Sequence, residues 1–165
     1  MELFMGLEFK IFEETDIEVY TEIMKLAFND DSKRHLNEES GGPPGYDNGS
    51  FLREFALHKD SVAYKVLKDD TPVGLIIVWI KSDGNNYLGN MFVNPKYQGR
   101  GIGFKMWKYI EAKYDKTKSW STETPGFSKT NHHFYINKCG FYLVKIDNPM
   151  DKYNESYLLE KKYNR

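Results

Sequence analysis

The apolar residues of this chain switch repeatedly between the spacing of strands and the spacing of helices. Leu7 to Phe12 has strand composition, and Thr15-Asp16-Ile17-Glu18 after it has the form of a capping box. Ile17, Tyr20, Ile23, Met24 and Ala27 recur at helical spacing and predict an amphipathic helix to about Phe28. Residues 29–50 are polar and rich in glycine and proline, a loop long enough to carry function. Ser50 to His58 predicts a short helix with Phe51, Phe55 and either Leu52 or Leu57 turned inward. Val62 to Leu67 and Val73 to Ile80 predict strands joined by a turn at Asp69-Asp70-Thr71-Pro72. The second of these is apolar almost throughout, as a central strand covered on both faces must be.

Asp83-Gly84 marks a hairpin leading into a strand from Tyr87 to Val93. Ile102, Met106, Trp107, Ile110 and Tyr114 then share one helical face. Lys118 to Thr124 predicts a strand ended by Pro125-Gly126, and Ser128 is placed to cap a helix reaching Cys139, with Gly140 as the left-handed residue beyond it. Phe141 to Ile146 and Ser156 to Lys161 supply the last strands. The order is β-α-α-β-β-β-α-β-α-β-β. It predicts an α/β chain of the α+β type, with one mixed, mainly antiparallel central sheet of about seven strands and helices on both faces.

Composition narrows the function classes. A chain of 165 residues, 40% hydrophobic and 16% aromatic, suits one domain spanning 1–165 with a packed core. With 23 basic and 24 acidic residues the net charge is −1, which gives no electrostatic reason to expect nucleic acid or an anionic membrane as partner. The longest unbroken apolar run, Leu75 to Ile80, is too short to span a bilayer. Met1 to Met5 lacks the basic and apolar regions of a signal peptide, and the single cysteine, Cys139, suits a reducing compartment, so a cytoplasmic location is expected. Oligomeric state is not legible; a homodimer is compatible with the sequence.

The chemistry concentrates at Gln98-Gly99-Arg100-Gly101-Ile102-Gly103. This glycine-rich turn lies between a predicted strand and a predicted helix. Glycine lets the backbone bend sharply and approach a ligand closely. The unpaired N–H groups of the first helical turn and the helix dipole then favour a phosphate. An ordinary tight strand-to-helix connection would show the same glycines, so the flanking sequence has to decide.

That flanking sequence resembles the GCN5-related N-acetyltransferases, the GNAT superfamily. The family's turn has the form Gln/Arg-x-x-Gly-x-Gly/Ala, matched by Gln98, Gly101 and Gly103, and Val93-Asn94-Pro95 fits the Val-x-Pro just upstream. Downstream, Phe134-Tyr135 followed by Gly140-Phe141 fits the family's helix end and Gly-Phe. The specific motifs lie between residues 87 and 141; the first 60 residues contribute topology only.

The resemblance implies that acetyl-coenzyme A is the co-substrate and that no metal is needed. It implies main-chain contacts from Met91, Phe92 and Val93 to the pantetheine amides, with Gln98, Gly99, Arg100, Gly101, Ile102, Gly103 and Phe104 wrapped around the diphosphate. A backbone N–H near Met91 or Phe92 takes an oxyanion-hole role. Asn131 and Phe134 join the cofactor contacts, and Tyr135 stands where the family places the acid that protonates the departing thiolate.

An aliphatic ammonium has a pKa near ~10, so the attacking amine must first lose a proton. Relatives often carry a glutamate for this before the glycine turn, where this chain has Tyr87-Leu88-Gly89-Asn90-Met91. Glu123 on the next strand is the nearest substitute; a base acting through water, or the deprotonated fraction of the substrate, are the alternatives. The family's asparagine seven residues before the tyrosine is Ser128 here, with Asn131 one helical turn before Tyr135. Tyr46 and Asp47 in the long loop are candidates for the acceptor site.

The resemblance thus implies an enzyme that passes acetyl to a primary amine by direct attack in a ternary complex. A coenzyme A-binding sensor or regulatory module without activity is the alternative from another class. A nucleotide-binding domain is disfavoured by the hairpin-rich first half. Adjacent histidines, His132 and His133, cannot share a helix face, and they are expected at the surface or the cofactor rim and not on zinc.

Overall fold

The computed structural model describes residues 1–164. Among these residues eight strands form one sheet: β1 (Glu2–Phe4), β2 (Leu7–Ile11), β3 (Ser61–Lys68), β4 (Thr71–Trp79), β5 (Asn85–Val93), β6 (Ser119–Pro125), β7 (Tyr142–Asp147) and β8 (Ser156–Lys162). Their spatial order is β1-β2-β3-β4-β5-β6-β8-β7, and every pairing is antiparallel except β5 with β6. The mixed, mainly antiparallel sheet with helices on both faces is therefore as expected, with one strand more. The extra strand, β1, is set by Met5 and Gly6, both at positive φ (51° and 82°), which close a two-residue hairpin between Phe4 and Leu7.

Helix α1 (Ile17–Leu36) covers one face, and α2 (Ile102–Lys113) with α3 (Lys129–His132, continued as a π-helix His133–Lys138) covers the other. On the α1 face, Tyr20, Ile23 and Met24 pack on Leu75, Ile77 and Phe92. Leu52 and Ala56 join them from a π-helix, Leu52–Ala56, where an ordinary short helix was expected. On the α2 face, Met106, Trp107 and Ile110 are fully buried against Val73, Ile76, Val78 and Leu88. Burying each such side chain is worth about 1.5–3 kcal/mol.

Two helix boundaries differ from the expected ones. Helix α1 is set at its start by Asp16, whose carboxylate accepts from the Glu13 amide (2.8 Å) and holds the Lys65 ammonium (2.9 Å), and not by Thr15. The helix also runs well beyond Phe28, to Leu36. Its polar second half gains i,i+4 pairs, Asp30 with Arg34 (3.1 Å) and Asp31 with His35 (3.5 Å), and it ends on left-handed Asn37.

Candidate active site

The site begins where the sheet comes apart. Strands β5 and β6 are paired only over Asn85–Tyr87 and Ser119–Ser121. The last tie is a side chain, the Thr122 hydroxyl donating to the Leu88 carbonyl (2.8 Å). Beyond it β6 continues along β8, and the edge of β5 from Gly89 to Val93 faces a gap. Strand β5 also carries a bulge there: the ladder with β4 steps from Ile77↔Asn90 to Val78↔Leu88 and leaves Gly89 unpaired. A Cβ on Gly89 would lie 2.7 Å from the Trp79 indole nitrogen, so the bulge requires glycine.

At the open end of the gap, Asn94 closes a turn by accepting from the Lys96 amide (3.0 Å), and the glycine segment follows. Gly99 and Gly101 are left-handed (φ 77° and 76°), and nothing lies within 4 Å of a Cβ on either. Gly101 is the N-cap of α2. Among the described residues, the six successive amides from Gly99 to Phe104 have no acceptor, and the first intrahelical bond is Lys105 N–H to the Gly101 carbonyl (3.1 Å). Six free N–H groups at a helix N-terminus form an anion cradle.

A cleft of about 720 Å³ runs from this cradle into the gap. Met91, Phe92, Val93, Gln98, Gly99, Gly101, Ile102, Gly103, Phe104, Asn131, Phe134 and Tyr135 all line it. Arg100 does not; its exposed guanidinium lies over the Tyr97 ring (5.3 Å). Tyr135 sits on the π-helix, only 7% exposed, edge-on to Phe134 and Phe141. Burial holds its phenol well above the ordinary value, so it is protonated at neutral pH; nearby Cys139 and Tyr87 push the same way. A turn earlier, Asn131 donates to the Thr124 hydroxyl (3.2 Å), tying α3 to the far wall of the gap. The His132 ring is hydrogen-bonded to the Pro125 carbonyl (2.9 Å) and stacks on Tyr157, while His133 lines the cleft.

The remaining candidates lie outside that cleft. Glu123 is exposed on the α1 side of β6, with its carboxylate 3.4 Å from the Ser156 hydroxyl. Tyr46 is buried, with its hydroxyl donated to Asn29 (2.6 Å), and Asp47 is exposed on the loop. Cys139 is 2% exposed, and burial pushes its thiol up to about 12, which leaves it unreactive. Among the described residues no three histidine, cysteine or acidic side chains gather as a metal site, and no helix is long and apolar enough to cross a membrane.

Sequence reasoning missed one wall of the cleft. Ala27, Asp31 and Arg34 line it from α1 and continue the stripe of Tyr20 and Met24 at i+3 and i+4 spacing. Asp31 accepts from the fully buried Ser128 hydroxyl (3.0 Å), and His35 meets the Thr130 hydroxyl (2.8 Å), so α1 is fastened to α3 across the mouth of the gap. Burial raises the Asp31 pKa above the usual carboxylate value, against the opposing pull of Ser128, His35 and Arg34.

A parted sheet, a row of unpaired amides at its open end and a protonated tyrosine inside make up the site. Residues 19–141 match the Acetyltransferase (GNAT) family, and the chain belongs to it. It is 37% identical over 136 residues to the Bacillus subtilis (strain 168) "Uncharacterized protein YrkN", covering 82% of this chain and 72% of that one. The fold is shared with an acetyltransferase from Thermus thermophilus (TM-score 0.76, 16% identity, 96% of this chain and 98% of that one). It is also shared with the PaiA N-acetyltransferase of Thermoplasma acidophilum, solved in complex with coenzyme A (TM-score 0.74, 17% identity, 96% and 100%).

Proposed function

We propose that the chain, as one catalytic unit, transfers acetyl from acetyl-coenzyme A to a primary amine by direct attack in a ternary complex. The observation that carries this reading is the continuity of the cleft: one cavity joins the free amides of Gly99 and of Gly101 to Phe104 to the exposed edge of β5 and to Tyr135. A diphosphate meets the amides of Gly99 to Phe104, and an amide-bearing arm completes the unpaired edge at Met91, Phe92 and Val93 as a missing strand would. The PaiA structure holds coenzyme A on the same fold, which supports the same ligand here.

The reaction asks little more of the protein. The amine nitrogen attacks the thioester carbonyl carbon, forming C–N while C–S breaks. A backbone N–H on β5 at Met91 or Phe92 stabilises the developing oxyanion. The thiolate leaves accepting a hydrogen bond from the Tyr135 hydroxyl, which burial keeps protonated, and takes up its proton from solvent. Glu123 takes the amine's proton, through water, from the α1 side of the gap, where its carboxylate is open to solvent.

The test is a thiol-release assay with acetyl-coenzyme A against a panel of aliphatic amines, amino acids, polyamines and peptide N-termini, run beside calorimetry with coenzyme A. Tight binding with amine-dependent thiol release supports the enzyme. Binding without turnover on any amine identifies a coenzyme A sensor, and no binding removes the reading.

A further inference from the structure

Helix α1 runs toward the open end of the cleft. Strand β2 is antiparallel to β3, β3 to β4 and β4 to β5, so β2 ends level with the start of β5, and the helix after it returns toward Val93. Its middle, Tyr20, Ile23 and Met24, packs on Leu75, Ile77 and Phe92. The helix also packs against the Pro95–Tyr97 turn that leads into the glycine segment. Asp31 and His35 fasten its last turns to Ser128 and Thr130. Arg34 stands between these two anchors, and it lines the cleft.

The amide row alone does not complete an anion site. A diphosphate carries charge on oxygens that point away from the amides as well as toward them, and neutral N–H groups leave its net charge uncompensated. The cation of the glycine turn does not answer it, because the Arg100 guanidinium lies over Tyr97 and outside the cleft. Among the described residues, Arg34 and Lys138 are the lysine and arginine side chains that line the cleft. Lys138 follows Phe134 by four positions on the π-helix, and the Phe134 ring lies 3.4 Å from a Cβ on Gly103. That places Lys138 on the α2 side, with Arg34 on the opposite wall.

Arg34 is also able to change partner. Half of its side chain is exposed, and its hydrogen-bond partner is Asp30, one helical turn earlier (3.1 Å). An exposed pair of this kind adds little to stability. A guanidinium meets a phosphate in a bidentate, charge-assisted geometry that an exposed carboxylate in water does not outweigh.

We propose that Arg34 is a cofactor-binding residue: it leaves Asp30 and clamps the diphosphate of coenzyme A from the α1 side, opposite the amides of the glycine turn. The inference rests on the reading of those amides as a diphosphate site. It gives the polar second half of α1 a purpose beyond packing, with Asp31 and His35 holding the helix end and Arg34 between them reaching the ligand.

Calorimetry with coenzyme A tests it on Arg34→Met, which keeps a long unbranched side chain without charge. The Kd rises by about 10- to 100-fold, as loss of one hydrogen bond to a charged group implies, and its dependence on salt becomes shallower. The melting temperature stays within about 2–4 °C of wild type, since the pair lost is exposed. Arg34→Lys, a point charge without the fork, recovers part of the affinity. Arg53→Met is the control: it removes the same charge from an exposed pair with Glu14 outside the cleft and binds like wild type. Dephospho-coenzyme A, which keeps the diphosphate and lacks the 3′-phosphate, loses affinity for Arg34→Met by the same factor as coenzyme A. An unchanged Kd in Arg34→Met overturns the inference, and so does an equal loss in Arg53→Met, which reports net charge alone. A loss with coenzyme A and none with dephospho-coenzyme A overturns it too, since Arg34 then serves the 3′-phosphate. If wild type itself does not bind coenzyme A, the diphosphate reading fails and takes this inference with it.

Discussion

Replacing Gly101 by alanine separates the fold's need for glycine from the ligand's need for it. Gly101 has φ 76°, and no atom lies within 4 Å of the added Cβ. The structural cost is then backbone strain alone, about 1–2 kcal/mol for an L-residue in the left-handed region. For a chain of this size that lowers the melting temperature by about 2–8 °C. Gly6 is a matched control: φ 82°, again nothing within 4 Å of a Cβ, but in the β1–β2 hairpin. Gly6→Ala should lose the same few degrees. The two variants part in calorimetry with coenzyme A. The methyl group of Gly101→Ala stands in the open mouth of the amide cradle, where the diphosphate must come within hydrogen-bond distance. Losing one charge-assisted hydrogen bond there costs about 1.5–3 kcal/mol, or roughly 10- to 100-fold in Kd. Gly6→Ala should bind like wild type. Equal coenzyme A affinities for the two variants, with equal melting temperatures, would refute the assignment of the cradle to phosphate.

Three further outcomes follow from single contacts. Tyr135→Phe removes only a hydroxyl from a packed ring, so coenzyme A binding should survive while kcat falls by about 10²-fold; an unchanged kcat when chemistry limits turnover rejects the role. Gly89→Ala forces a Cβ to within 2.7 Å of the Trp79 indole nitrogen; overpacking of this kind costs about 1–3 kcal/mol, read as a lower melting temperature, whereas a wild-type value would mean the bulge has room. Asp31→Asn concerns pH. Burial raises the Asp31 pKa, so the native state holds this proton more tightly than the unfolded chain, and stability is lost as pH rises through the window from the unfolded to the folded pKa. The amide still accepts from Ser128 but never ionises, so Asp31→Asn should melt higher than wild type at neutral pH, with the gain vanishing once Asp31 is protonated; a gain constant with pH removes the ionisation argument.

The cofactor side of the site was legible in the sequence because it is built from local signals. Glycines at 99, 101 and 103, Val93-Asn94-Pro95 and Phe134-Tyr135 each declare a backbone conformation or a packing role within a few residues, and all but Arg100 of the residues expected around the cofactor line one cleft. The opposite wall was not legible. Asn29-Asp30-Asp31-Ser32 has low helix propensity, and the helix persists there through i,i+4 pairs and through Asp31 and His35 reaching Ser128 and Thr130, 97 and 95 residues away. Nor does a one-residue bulge show in a strand's composition, although Gly89 inside an otherwise β-forming run is the mark such bulges leave. Without it, the alternation of β5 puts Asn90 on the α2 face with Leu88 and not opposite Ile77 on the α1 face.

The gap itself is a matter of competing partners. A parallel pair such as β5 and β6 would ordinarily zip along its whole length, because every unmade ladder bond exposes an N–H or a C=O. Here β6 is given other partners one by one. Thr122 donates its hydroxyl to Leu88, Thr124 takes the Asn131 amide, and the Pro125 carbonyl meets His132. Pro125 has no N–H to offer. Along its other edge β6 is fully paired with β8. The strand is thus held from behind by β8 and from the side by α3. Beyond Leu88 the edge of β5 has no β6 partner, and an extended amide-bearing ligand can complete it. The same fastening explains why α3 begins with a buried Ser128 and not an exposed cap: its hydroxyl is committed to Asp31 on α1. The helix that bears Tyr135 is thereby positioned from both faces of the sheet, by Asp31 and His35 of α1 and by Thr124 and Pro125 of β6.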